Sequence, residues 1–165
     1  CTLWYVIPNL NISIFDDSIH LLQCMKISKE LFGENYHDIS FFKSRYRIKI
    51  VAIIKSNVIG FFIAKKTKYK SIQIECIGIK KNYQLKSVGT QLMAYFFNRY
   101  TSNKTRVFAY AWKLNKKINA GKLNEKFGLS PTKNLGYIWK DVCNKSFKCP
   151  YYNKSCICQS VMYSN

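Results

Sequence analysis

Residues 77–93 read IGIKKNYQLKSVGTQLM. The apolar run Ser71–Ile79 has strand character, Lys80–Asn82 turn the chain, and Ser87–Tyr100 has helical spacing, with Val88, Leu92, Tyr95 and Arg99 about one turn apart. Yet the junction carries Gln84, Lys86, Ser87, Gly89 and Thr90, and no acidic residue. The first N–H groups of a helix lack intrahelical partners, and with the helix dipole they form an anion site that needs no charged side chain. The junction Gln84-Leu85-Lys86-Ser87-Val88-Gly89-Thr90 therefore suits a phosphate, with Lys86 adding charge and Thr90 a hydroxyl donor. An ordinary βα loop, in which Gly89 only permits close packing, fits these residues equally well.

Outward from this junction the chain alternates strands and helices. A first strand is expected over Thr2–Ile7. The segment 16–33, DDSIHLLQCMKISKELFG, predicts a helix capped at Asp16–Ser18 and stopped at Gly33, with Ile19, Leu22 and Met25 on one face. A short helix is expected within Ile39–Tyr46. Two β-rich runs around Ser56-Asn57 read as a hairpin, and 71–79 adds a strand. After the helix 87–100, residues 106–112 predict a strand, Asn119–Phe127 a helix closed by Gly128, and 137–143 and 158–163 the last two strands. This is an α/β order with helices on both faces of a mixed sheet, in one domain over 1–165.

The 165 residues suffice for a single core, and 48% apolar content excludes disorder. Charge is the outlier, with 27 basic residues against 8 acidic and a net charge of +19. Nearly all the cations are lysine; the arginines are Arg45, Arg47, Arg99 and Arg106. A chain this rich in Lys, Asn, Ile, Tyr and Phe reflects A/T-rich codons, which explains the lysine better than it explains the shortage of acids. Nucleic acid is compatible with this charge but not required by it, and a solvated basic surface fits as well. Every apolar run is too short for a membrane span, and CTLWYVIPNLN lacks the basic start and small-residue cleavage site of a signal peptide. The expectation is a soluble cytoplasmic protein, a monomer or homodimer, without a membrane partner.

The stretch 77–93 resembles the acetyl-coenzyme A signature of the Gcn5-related N-acetyltransferase (GNAT) superfamily, Gln/Arg-x-x-Gly-x-Gly/Ala after the fourth strand. Gln84 fills the first position and Gly89 the last. AGKLNEKFGLSP, residues 120–131, resembles a later family segment, with Ala120, Leu123, Lys126 and Gly128 in place. The element order is similar to that family up to about residue 143. Ser87 stands where the family usually has glycine. Asn124 stands where a tyrosine often protonates the departing thiolate, and Lys117 where many members have a cofactor-contacting asparagine, with Asn115 and Asn119 close by.

The resemblance implies a GNAT-like, mostly antiparallel twisted sheet flanked by helices, and acetyl-CoA as cosubstrate. Its binding residues would be Ile77, Gly78 and Ile79 on the splayed fourth strand, the loop Gln84, Leu85, Lys86, Ser87, Val88, Gly89 and Thr90, and Asn119. The implied reaction is direct attack by a primary amine in a ternary complex, with the backbone at Ile77 holding the developing oxyanion. The acceptor is a small amine, a peptide N-terminus or a lysine. Gly78 suits a bulge or a close ligand approach. Glu75, the only acid within 71–112, is the candidate general base, and a carboxylate that merely neutralises nearby lysines fits it equally well. Two further readings stay open. One is an acyltransferase directed to tRNA or DNA; the other is a non-catalytic CoA-binding module, which Asn124 favours.

Cys143, Cys149, Cys156 and Cys158 crowd into the C-terminal hairpin, as a Cys-rich insertion over 143–158. If 137–143 and 156–163 pair, Cys156 and Cys158 share a strand face and the four thiols can converge on a structural Zn²⁺. Their spacing matches no common zinc finger, and free thiols or disulfides remain open alternatives. Cys24 and Cys76 read as core residues, and His20 and His37 as packed or surface side chains.

Overall fold

A computed structural model describes residues 7–165. The expected strand Thr2–Ile7 lies outside the described residues except for Ile7, a core residue. The elements in order are β1 (Asn11–Ile14), α1 (Asp17–Phe32), α2 (Ile39–Lys43), β2 (Arg47–Ile54), β3 (Asn57–Lys66), β4 (Ser71–Ile79), α3 (Val88–Tyr100), β5 (Arg106–Leu114), β6 (Lys117–Ile118), α4 (Gly121–Lys126), β7 (Ser130–Gly136) and β8 (Gln159–Ser164). A short 3₁₀ turn, Lys81–Tyr83, links β4 to the loop before α3.

The strands form one sheet in the order β1-β2-β3-β4-β5-β8-β7, with β6 paired to β5. Among the described residues all pairs are antiparallel except β4–β5. Lys55 and Ser56 both have positive φ, so β2 and β3 join through a two-residue turn of the I′ kind, one residue earlier than expected.

Helix α1 starts as the sequence predicts: the Asp16 carboxylate accepts the Ser18 N–H at 2.8 Å. Its buried face differs from the expected one. His20, Leu21, Cys24, Ile27 and Ser28 turn inward, whereas Ile19 and Leu22 are 62% and 79% exposed. The small Cys24 and Ser28 let the helix approach the sheet, and His20 can be buried because its Nδ1 accepts the Asp16 N–H at 2.9 Å.

Two apolar cores lie on opposite faces of the sheet. One packs Val88, Leu92, Met93 and Phe96 of α3 against Ile50, Phe62, Ile72 and Ile74. The other packs Leu21, Cys24 and Ile27 of α1 and Phe42 of α2 against Val51, Phe61, Ile63 and Cys76. Strand β4 belongs to both, through a bulge. Ile63 pairs with Cys76 and Ala64 with Ile74, which leaves Glu75 as the extra residue. The irregularity moves the inward side chain from one face to the other between Ile74 and Cys76.

The C-terminal part corrects the sequence reading. Residues 137–143 form successive turns, in which the Trp139 carbonyl accepts the N–H of Val142 and of Cys143. The strand that pairs with β8 is β7, a polar edge strand whose first five residues are exposed and which therefore gives no apolar alternation to read. The cysteines accordingly lie in the connection 137–158 and do not flank a hairpin.

Candidate active site

Parallel pairing of β4 with β5 runs from Ser71–Arg106 to Ile74–Ala109 and stops there. Beyond it the strands diverge, at the same place as the bulge at Glu75: the β4 edge at 75–79 loses its β5 partner, while the end of β5 turns to β6, with Lys113 paired to Ile118 and Leu114 to Lys117. Unpaired strand edges are hydrogen-bonding surfaces. Ile77, Gly78 and Ile79 all lie on the diverging part of β4.

Helix α3 begins at the far end of this gap. Ser87, its N-cap, has φ +62° and makes no side-chain cap bond, so the helix N-terminus keeps its N–H groups uncapped by any side chain. The left-handed backbone there explains why glycine is the easier residue at this position. Leu85 also has positive φ and is fully exposed. Gln84 braces the loop, its Nε2 donating to the Ile79 carbonyl at 3.0 Å. The Lys86 ammonium lies 5.8 Å from the centre of the Tyr83 ring. Gly89 faces inward: a Cβ there would lie 3.1 Å from Leu123 and 3.2 Å from Ile79, so its small size serves helix packing. The glycine at 78 likewise fits a Phe61 ring, which a Cβ would meet at 2.7 Å.

On the α1–α2 side the gap opens into a cavity of about 380 Å³. Glu75, Ile77, Asn119 and Asn124 line it, so it gathers the candidate base, one oxyanion residue and the two asparagines of the resemblance. The loop 84–90 is not among its walls. The expected cofactor residues thus split between the cavity (Ile77, Asn119) and the α3 end of the gap (Gln84–Thr90). Asn124 is buried.

The Glu75 carboxylate is not free. Arg47 holds it through two bonds, Nε to Oε2 at 2.5 Å and an Nη donor to Oε1 at 3.2 Å, with both side chains mostly buried. The Arg47 guanidinium in turn lies 4.3 Å from the centre of the Phe41 ring. The carboxylate therefore neutralises an arginine, where sequence reasoning weighed lysines. Its four lone-pair sites leave room for a further donor.

The remaining walls are aromatic. Tyr36 and His37, in the loop after α1, meet Phe41, Phe32, Trp112 and Trp139. The Tyr36 ring meets Trp112 edge-on at 5.6 Å, and burial pushes its phenol above the usual range. His37 stacks on Phe41 at 4.1 Å, and its Nδ1 lies 2.8 Å from Ser28 Oγ. Burial, then the nearby Arg47, push its imidazole down to about 4, so it is neutral at neutral pH. Sequence reasoning missed this aromatic wall, because rings gathered from four segments show no spacing pattern. Arg47 had a signal: it is one of only four arginines in a lysine-rich chain.

Cys143, Cys149, Cys156 and Cys158, on which a structural zinc was expected, all lie in the 137–158 connection. Among the described residues no group of three or more His, Cys, Asp or Glu side chains could hold a metal ion. Cys149 and Cys156 each lie near enough to both Cys143 and Cys158 to act on them. Burial, together with these neighbours, pushes Cys143 up to about 12 and Cys158 up to about 11, so both are protonated. The strand pair that was to aim Cys156 and Cys158 at one point does not exist. No helix among the described residues is long and apolar enough to cross a membrane.

No family model and no curated protein matches the sequence. Solved structures match it closely in shape. A CoA-complexed aminoglycoside 6'-N-acetyltransferase superposes with a TM-score of 0.73 at 13% identity, covering 94% of this chain and 96% of the other. Arabidopsis thaliana NAA60 with a bisubstrate analogue gives 0.73 at 14% identity, covering 94% and 97%. Arabidopsis thaliana Naa50 with the bisubstrate analogue CoA-Ac-MVNAL gives 0.69 at 16%, covering 95% and 98%. With β4 and β5 paired in parallel and splayed at the β4 bulge, the chain has the fold of the GNAT acetyltransferases.

Proposed function

We propose that this protein is an acetyl-CoA-dependent N-acetyltransferase that acts on a primary amine within a ternary complex. The observation that carries the reading is the β4–β5 gap, which has a helix N-terminus uncapped by any side chain at one end and a cavity walled largely by aromatic rings at the other. The residues fit a CoA thioester: the N–H groups at the start of α3, with Lys86, suit its pyrophosphate, and the open β4 edge suits its pantetheine amides.

In the reaction the neutral amine attacks the thioester carbonyl carbon, the N–C bond forms, and the C–S bond breaks with its electron pair going to sulfur. The backbone N–H at Ile77 holds the oxyanion. Glu75 accepts the proton that the amine sheds, and Arg47 keeps the carboxylate oriented for it. Asn124 supplies no proton. A thiolate with a pKa near ~8.5 leaves without an acid and takes its proton from solvent. The Asn124 position also favours a second reading, a module that binds CoA without turnover.

Isothermal titration with acetyl-CoA, followed by thiol release across an amine panel, tests the reading. Saturable binding that is lost with Lys86→Glu plus Thr90→Asp, and thiol release that depends on an amine, is expected. Binding with no release for any amine points to the module, and no binding at millimolar acetyl-CoA removes both.

A further inference from the structure

The cavity has walls that select among amines. Seven rings line it, those of Phe32, Tyr36, His37, Phe41, Tyr110, Trp112 and Trp139. All but Tyr110 are locked to each other edge-on or stacked, with Trp112 at 5.6 Å and 82° to Tyr36, and Phe32 at 5.7 Å and 85° to Trp112. Such contacts fix their shape, so the wall is preformed.

The charge of the cavity is already balanced. Glu75 is its only acidic wall residue, and Arg47 holds that carboxylate with two bonds. The other polar groups of the wall, on Gln73, Tyr110, Asn119 and Asn124, are amides and a phenol and not carboxylates, and His37 Nδ1 already meets Ser28 Oγ. A second or third ammonium brought in with the substrate would find no counter-ion, and burying an unpaired charge is strongly disfavoured. A volume near 380 Å³ is also at the low end of small-molecule sites, room for one bulky group and the reacting centre.

Resting on the acetyltransferase reading, we infer that the acceptor is a primary monoamine borne beside one bulky apolar or aromatic group, which the ring wall takes up, and that polycationic amines are not substrates. The same wall assists the chemistry. An ammonium drawn against the ring wall sheds part of its solvation, its pKa falls, and the neutral nucleophile forms with less demand on Glu75. The shared chemistry has two sources, a free arylalkylamine or a peptide whose first residue is apolar, and both belong in the test.

The experiment measures thiol release from acetyl-CoA with 2-phenylethylamine, with short peptides beginning in Phe, Met, Ser or Lys, and with spermidine and kanamycin. In parallel, tryptophan emission reports amine binding at Trp112 and Trp139 without any turnover. Apolar monoamines are expected to exceed spermidine in kcat/KM by on the order of 10- to 100-fold. Trp139→Ala, on the connection outside the sheet, should raise the amine KM roughly tenfold for apolar acceptors while leaving the acetyl-CoA KM unchanged. Preference for 2-phenylethylamine over the peptides, or the reverse, identifies the source and supports the inference either way. Equal or better turnover of spermidine or kanamycin overturns it and leaves the acetyltransferase reading standing. A failure of acetyl-CoA to bind while phenylethylamine still shifts the emission removes the reaction but supports the cavity's ligand class, and no emission response to phenylethylamine overturns that class.

Discussion

Arg47 and Glu75, 28 residues apart, form a two-bond ion pair at the place where β4 bulges and parts from β5. The pair links the first strand after the α2 helix to the edge of the β4–β5 gap, and it fixes the carboxylate that faces the cavity. Both partners are needed for this: an unpaired buried carboxylate costs more than the pair gains.

Replacing Arg47 with Met therefore leaves Glu75 buried without a partner. A loss of roughly 3 kcal/mol in urea unfolding is expected, and Arg47→Met with Glu75→Gln together should recover much of it. Glu75→Gln alone leaves the Arg47 guanidinium without its counter-charge and should also lose stability, and it should lower kcat by about 100-fold, measured as thiol release at saturating substrates below its own melting temperature. Unchanged kcat would assign the pair to structure alone.

His37 sets an acid limit on stability. Its folded pKa, lowered to about 4, lies below the ordinary 6.5, so the unfolded chain binds a proton that the folded one refuses between these values. The contribution is full above pH 6.5 and is lost as pH falls towards 4, at most about 3 kcal/mol. Urea midpoints between pH 7.5 and 4.5 should fall more for the natural protein than for His37→Asn. Parallel slopes for the two would clear His37.

Ser87 holds a left-handed backbone that costs an L-residue about 1 kcal/mol. Ser87→Gly should raise the melting temperature by a few degrees and leave acetyl-CoA affinity within about threefold, since the loop keeps its shape. A fall in melting temperature would show that the serine side chain is itself needed.

Gly33 ends α1 at φ +104°, and a Cβ there would lie 1.9 Å from the Lys148 carbonyl oxygen. The Lys148 N–H donates to the Glu34 carbonyl at 2.9 Å, so this joint ties the 137–158 connection to the helix. Gly33→Ala should cost at least about 2 kcal/mol and should open Cys149 and Cys156 to faster alkylation. Alkylation unchanged by the substitution would show the connection is held elsewhere.

How much was legible follows from what makes each feature. The β4 strand, the α3 helix, the α1 cap and the β2–β3 hairpin were readable because a local pattern fixes each: alternation, 3.6-residue spacing, Asp16 before Ser18 and a turn near Ser56. The signature at Gln84–Gly89 pointed to the gap. Three features were not legible. Strand β7 is polar, so its apolar neighbour Tyr137–Cys143 was read as the strand in its place. The exposed Leu22 looked like core until the small Cys24 and Ser28 set the buried face. The aromatic cavity and the Arg47 pair arise from residues brought together only by the sheet.

The bulge at Glu75 has a last consequence. Because β4 gives Ile72 and Ile74 to one core and Cys76 to the other, neither core can be dismantled while the other stands. The two layers should melt together, in a single cooperative transition by circular dichroism and tryptophan emission alike. A biphasic curve would show that the shared strand does not couple them.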